Sequence, residues 1–215
     1  MREIAIVDYH KGNLSSVRRG IEAAGGVARV TDDPELVARA EGIVMPGVGS
    51  FENAMRYMRT SGQAEAILEA IGRGVPFLGI CLGIQVLFER GSEVDEPGPE
   101  LQWVEGLGVF RGSSERLESS RLKVPHVGWD QIDVTPRGRE CPLLAGVAEG
   151  CTMYFTHSYA VDATEEPDII AARTHYARSF ASVVWRDNVY GVQFHPEKSS
   201  GSGLTILRNF VQIVG

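Results

Sequence analysis

The stretch Val75-Pro76-Phe77-Leu78-Gly79-Ile80-Cys81-Leu82-Gly83-Ile84-Gln85 is a short apolar run ending in a small-x-Cys-x-small turn. Beyond it, Ile84-Gln85-Val86-Leu87-Phe88-Glu89 is apolar on a helical period. The pattern predicts a buried strand, a tight turn and a helix through residue 89. That shape is an elbow that presents a nucleophile, with Cys81 at its tip. Gly79 and Gly83 fit it, because a Cβ on either side of so sharp a turn would collide with neighbouring backbone. A thiol at a helix start meets the positive end of the macrodipole and free N–H groups, which favour thiolate. The same N–H groups, beginning with Leu82, can receive a developing oxyanion. The competing reading of Cys81 is a buried structural cysteine, so the elbow needs a base to become chemistry.

Working outward, the N-terminal half alternates strands with helices. Strands are expected over 3–8, 27–31 and 42–45, and helices over 14–24, 51–58 and 63–71. Asp33 is the expected N-cap of a short helix, with Pro34 in its first position. Alternation of this kind implies parallel βαβ units in a doubly wound sheet with helices on both faces. Ligands then sit at the carboxyl ends of the strands, where Cys81 and the loop Pro46-Gly47-Val48-Gly49-Ser50-Phe51 both fall.

After Gly91 the texture changes. Residues 92–98 form an acidic, Pro- and Gly-rich surface loop. Short strands follow around 107–110, 131–134 and 153–155, then 169–174, 180–185 and 190–194, with a closing helix over 204–214. The expected architecture is α/β: a mainly parallel sheet with a mixed or antiparallel extension in the C-terminal half. At 215 residues the chain suits one domain, 1–215.

Whole-chain properties narrow the function. The net charge of −7 argues against nucleic acid, whose binding rests on neutralising phosphates. No apolar stretch reaches membrane-spanning length, and the charged start leading straight into a strand does not resemble a signal peptide. Cys81, Cys141 and Cys151 lack the spacing of a zinc site or disulfide framework, which fits a reducing cytoplasm; no metal and no cofactor are expected.

The missing base lies in Val189-Tyr190-Gly191-Val192-Gln193-Phe194-His195-Pro196-Glu197. A strand is expected to end at His195, which Pro196 biases toward extended geometry. Side chains of an extended segment alternate, so His195 and Glu197 would share a face. Glu197 would then hold one ring nitrogen while the other faces a nucleophile, giving a Cys81–His195–Glu197 triad. An unremarkable His-Pro-Glu turn is the competing reading; each motif, however, supplies what the other lacks.

The segments 79–85 and 191–197 together resemble the class I glutamine amidotransferases, over essentially the whole chain. Further stretches bring the resemblance closest to the glutaminase subunits of imidazole glycerol phosphate synthase: 46–51, Val124-Pro125-His126-Val127-Gly128-Trp129, Tyr154-Phe155-Thr156-His157-Ser158-Tyr159, and Lys198-Ser199-Ser200. One departure stands out, since those subunits usually carry Asp-Tyr-Gly at the first turn and here His10 replaces the glycine. The resemblance implies glutamine hydrolysis through a thioester on Cys81, with Leu82 and the Val48 and Gly49 loop as oxyanion donors. It also implies glutamine binding by Gly49, Gln85, Ser158 and Tyr159. Asp8 and His10 read as turn residues and His157 as structural.

Ammonia freed into water becomes ammonium and loses its nucleophilic lone pair, so an acceptor must take it directly. The resemblance implies a separate (β/α)8-barrel cyclase subunit that makes imidazole glycerol phosphate and aminoimidazole carboxamide ribotide. The expected docking face is Pro125, His126 and Trp129 with Lys198. Trp129 by itself could equally be exposed or buried. Gly47 and Gly49 would let the loop turn an N–H away from the site until the partner binds its ligand. Rival readings are the glutaminase of another synthase (anthranilate, purine or pyridoxal phosphate), a cysteine peptidase-like hydrolase on a related fold, and a catalytically dead ligand sensor.

Overall fold

The computed structural model describes residues 2–96, 98 and 100–215; the chain's charged start and the expected 92–98 loop fall partly outside them, at Met1 and Pro97. In chain order the strands and helices are β1 (Glu3–Val7), α1 (Leu14–Ala23), β2 (Val27–Thr31), α2 (Pro34–Arg39), β3 (Gly42–Met45), α3 (Phe51–Ser61), α4 (Gln63–Gly72), β4 (Phe77–Ile80) and α5 (Leu82–Gln85). There follow β5 (Phe88–Gly91), β6 (Val104–Glu105), β7 (Phe110–Arg116), β8 (His126–Gln131), β9 (Asp133–Val134), β10 (Thr152–His157), β11 (Tyr159–Asp162), β12 (Ile170–Tyr176), β13 (Arg178–Arg186), β14 (Val189–Val192) and α6 (Ser200–Val214).

The main sheet has eight strands in the order β2-β1-β3-β4-β14-β13-β12-β9. Its first five strands run parallel and the last three antiparallel, which is the mixed extension expected from the sequence. β3, β4 and β14 are buried at every position, as strands covered on both faces must be. Alternation divides their side chains between two cores. Ile43, Met45 and Phe77 pack with Phe51, Met55 and Ile67 from α3 and α4. Val44, Leu78 and Ile80 pack with Val17 and Ile21 of α1 and Leu207 and Phe210 of α6. Each fully buried side chain of this size contributes about 1.5–3 kcal/mol.

Local signals set the helix starts. Asp33 caps α2 by accepting the Glu35 N–H at 2.8 Å, with Pro34 in the first position. Ser50 caps α3, accepting the Asn53 N–H at 3.2 Å, and so fixes where the Gly47–Gly49 loop ends.

Several boundaries differ from the sequence expectation. The helix after Cys81 ends at Gln85, and Phe88–Gly91 is instead a strand that pairs parallel with β7 and antiparallel with β6. A short apolar run reads alike in both forms, and the pairing partners decide it. The macrodipole expected at Cys81 therefore shrinks to the N–H groups of one helical turn. The 107–110 segment becomes a strand only at Phe110, and 131–134 is interrupted at Ile132 between β8 and β9. β14 stops at Val192; His195 lies beyond it, and residues 196–198 form a 3-10 turn.

Two small sheets complete the fold: β11-β7-β5-β6 and the pair β10-β8. Among the described residues no helix is long and apolar enough to cross a membrane.

Candidate active site

β4 and β14 are neighbours, registered Gly191 to Gly79 and Val192 to Ile80. Cys81 follows β4 directly, its N–H donating to the Val192 carbonyl at 2.8 Å. Its backbone is strained, with φ 56° and ψ −104°, and a non-glycine residue is held there only when its surroundings over-determine it. The surroundings are tight: a Cβ on Gly79 would stand 2.3 Å from the Gly83 carbonyl oxygen, and one on Gly83 2.1 Å from that of Met45. The glycines expected from the sequence are therefore required by close backbone approach.

His195 and Glu197 stand beyond the end of the adjoining strand. His195 N–H donates to the Tyr154 carbonyl at 2.9 Å, and its own carbonyl accepts the Ser199 hydroxyl at 2.6 Å. Its Nδ1 lies 2.9 Å from Glu197 Oε1, and both side chains are buried. The 3-10 turn of Pro196–Lys198, rather than alternation along a strand, folds the carboxylate back onto the ring. His195 Nε2 finds no hydrogen-bond partner among the described residues. The Cys81 thiol points to the Thr156 carbonyl at 3.8 Å, while the Gln193 side-chain amide reaches the sulfur at 3.7 Å. Burial works to strip His195 of its proton. The charge of Cys81 and the Glu197 carboxylate outweigh it and raise the imidazole to about 10.

A pocket of about 260 Å³ opens over the sulfur. It gathers Gly47, Val48, Gly49, Leu82, Gln85, Ser158 and Tyr159, and also Pro125 from the expected docking segment. Gln85 is buried and donates to the Tyr159 carbonyl at 2.8 Å and to Gln193 Oε1 at 3.2 Å. Glu93 lines the same wall without any sequence signal to mark it, because it lies in a loop with no periodicity. Burial raises its carboxyl above the usual range, opposed by the Phe51 N–H that it accepts at 3.0 Å.

The Gly47–Gly49 loop is held from behind. The Tyr9 hydroxyl accepts the Val48 N–H at 3.0 Å and lies 3.1 Å from the Val48 carbonyl. The Val48 N–H is therefore engaged with Tyr9, and an oxyanion could receive it only after that bond opens. Tyr9 itself is buried, which raises its phenol far above the ordinary range. His10 occupies the left-handed region that glycine favours, at φ 62°, steadied by Asp8 Oδ1 accepting its N–H at 2.7 Å.

The docking segment divides. Trp129 is 52 % exposed and packs edge-on against Tyr154, over whose ring Lys198 Nζ stands at 5.8 Å. Pro125 is exposed, but His126 is only 3 % exposed and faces inward, because alternation along β8 turns it away from Val127 and Trp129. His126 thus cannot itself touch a partner across this face. No cluster of His, Cys, Asp and Glu suited to a metal occurs among the described residues.

Comparison with known proteins places the chain in a family. The family model of glutamine amidotransferase class-I matches residues 5–214. The imidazole glycerol phosphate synthase subunit HisH of Syntrophotalea carbinolica is 46 % identical over 213 residues, covering 96 % of this chain and 98 % of that protein. The HisH subunit of Gloeobacter violaceus is 43 % identical over 210 residues, covering 97 % and 88 %. Among solved structures, a putative GMP synthase subunit from Thermoplasma acidophilum superposes with a TM-score of 0.72 at 19 % identity, covering 100 % of this chain and 94 % of that one. The glutaminase domain of Trypanosoma brucei CTPS with bound acivicin gives 0.65 at 16 %, covering 99 % and 94 %. These two share the fold. The chain belongs to the class I glutamine amidotransferase family, in its branch of imidazole glycerol phosphate synthase HisH subunits.

Proposed function

We propose that residues 1–215 act as one glutamine amidotransferase domain, the glutaminase subunit of an imidazole glycerol phosphate synthase working in the cytoplasm. One juxtaposition supports the chemistry: a cysteine on a strained turn, with a buried His–Glu pair beyond the end of the next strand. The Cys81 thiolate attacks the carboxamide carbon of L-glutamine, and the carbonyl oxygen takes the negative charge. Leu82 N–H receives that oxygen, joined by a loop N–H from Val48 or Gly49; each such donor is typically worth about 3–4 kcal/mol. His195, charge-balanced by Glu197, gives its proton to the amide nitrogen as the C–N bond breaks. Ammonia leaves and a glutamyl thioester remains. His195 then takes a proton from water, the hydroxide adds to the thioester, and breakage of the C–S bond releases glutamate and Cys81.

Gln85, Ser158, Tyr159 and the Gly49 backbone would hold the substrate. Glu93 suits its α-ammonium, being a carboxylate on the same wall. Ammonia must reach a second active site before water protonates it, so we assign the acceptor chemistry to a separate (β/α)8-barrel cyclase subunit. Its docking surface would centre on Pro125, Trp129 and Lys198.

Since the Val48 N–H is held by Tyr9, the isolated chain should hydrolyse glutamine poorly. Glutamine turnover is to be measured for the chain alone, with the cyclase, and with the cyclase and its nucleotide substrate. The rate should rise by orders of magnitude in the last case. Equal rates in all three would defeat the gating.

A further inference from the structure

Along the pocket, which His157, Gln85 and Cys81 all line, runs a continuous file of polar contacts. Asp130 Oδ2 lies 3.4 Å from His126 Nε2, and His126 Nδ1 lies 3.3 Å from His157 Nε2. His157 Nδ1 lies 2.8 Å from the Tyr159 carbonyl, which also accepts Gln85 Nε2 at 2.8 Å. Gln85 continues to Gln193, and Gln193 to the Cys81 sulfur. Every side chain from His126 inward is buried, whereas Asp130 is one-third exposed on β8, next to Trp129. The file thus joins a strand presented to solvent with the sulfur that carries the reaction. It makes demands of the two imidazoles that a merely packed histidine would not meet.

Counting protons along it shows what those demands are. A carbonyl only accepts, so His157 must carry hydrogen on Nδ1, and its Nε2, while the ring is neutral, can only accept. His126 must then carry hydrogen on Nδ1, which leaves its own Nε2 lone pair facing the Asp130 carboxylate. Two neutral rings hold two protons, and the three junctions need three. One further proton on His126, paired with Asp130, would complete the file, and burial confines that state to pH below 6.5. Burial pushes His157 down to about 3, with the charges of His126, His195 and Arg178 adding to the effect, so the extra proton does not reside there. Burial also lowers His126, and Asp130 opposes it. The remaining walls are aromatic: Tyr176 and Phe155 stack on His126, and Phe180 from β13 meets both imidazoles edge-on.

We propose that His157 is a positioning residue of the glutamine pocket, acting through the Tyr159 carbonyl, with His126 and Asp130 as outer links that tie β8 to it. The inference rests on reading this pocket as the glutamine site. Removing the His157 donor leaves the Tyr159 carbonyl to Gln85 alone and frees the Ser158–Tyr159 wall. Ground-state binding of glutamine then suffers before the chemical step does.

The test uses the complex with the cyclase, in which synthesis driven by glutamine and by added ammonia is followed from pH 5 to 8. His157→Leu should raise the glutamine KM about tenfold, the loss of one well-made buried hydrogen bond, with kcat changed far less. His157→Asn, whose amide nitrogen falls near Nδ1, should restore most of that KM. Ammonia-driven synthesis should stay at the parent level in both. In the parent, KM should fall only as pH drops below 6.5, because burial holds His126 below its ordinary range. Asp130→Asn, which can donate to a neutral His126 and needs no third proton, should flatten that fall. A His157→Leu KM equal to the parent's, an Asn variant no better than Leu, or an Asp130→Asn profile matching the parent's would each overturn the proposal. If His157→Leu fails to fold, the Asp130→Asn profile decides. A parent complex that makes product from ammonia but not from glutamine would instead sink the glutaminase reading beneath it.

Discussion

His195 is the residue whose surroundings most directly express the proposed chemistry. Its partner on one side is a buried carboxylate, and the Cys81 sulfur acts on it electrostatically from the other. The folded chain holds the imidazole proton up to about 10, against an ordinary value of 6.5. A group raised in this way contributes stability that is whole below pH 6.5 and is lost as pH climbs through 10. Denaturant unfolding of the parent and of His195→Gln across that window should show the parent's margin narrowing steadily. A constant margin would mean that His195 is not held as an imidazolium. The sequence conveys this residue well, because His-Pro-Glu is local and its partner lies two positions away. It conveys His157 poorly. Nothing in Phe155-Thr156-His157 reveals that a second imidazole from β8, 31 positions away, meets it in the interior.

At the scale of elements, the strand-rich turn at Cys81 and the parallel strands around it are legible because apolar runs and glycines record burial and close backbone approach. The length of α5 is not. Phe88–Gly91 takes its form from pairing with β7 and β6, partners whose identity no local pattern carries. The Gly47–Gly49 loop shows the same division. Its glycines signal mobility, while the Tyr9 hydroxyl that restrains it comes from the first turn, 39 residues earlier. Tyr9→Phe removes that restraint and leaves the exposed Val48 peptide to water. Glutamine hydrolysis by the isolated chain should rise about tenfold, the effect of one or two lost hydrogen bonds at about 1 kcal/mol each. The partner-stimulated rate should hardly change. An isolated-chain rate equal to or below the parent's would show that Tyr9 does not restrain the loop.

Over the whole molecule, the main sheet brings the ends of β4 and β14 together, and the antiparallel pair β10–β8 lies beside them with Val127 and Trp129 exposed. Trp129 is exposed on that pair, where the proposed docking surface needs a large aromatic anchor. Trp129→Ala should weaken cyclase binding about 30-fold, equivalent to about 2 kcal/mol, as read by calorimetric titration. A change within about twofold would move the docking surface elsewhere. The exposure of Trp129 is not readable from sequence, since the alternation that turns it outward and His126 inward depends on which face of β8 meets β12 and β13. In the assembled synthase, Cys81 is to take the glutamyl group and the cyclase the ammonia, and Cys81→Ala separates those two roles. Glutamine-driven formation of imidazole glycerol phosphate should disappear while formation from added ammonia stays at the parent rate; glutamine-driven synthesis surviving the substitution would contradict the account.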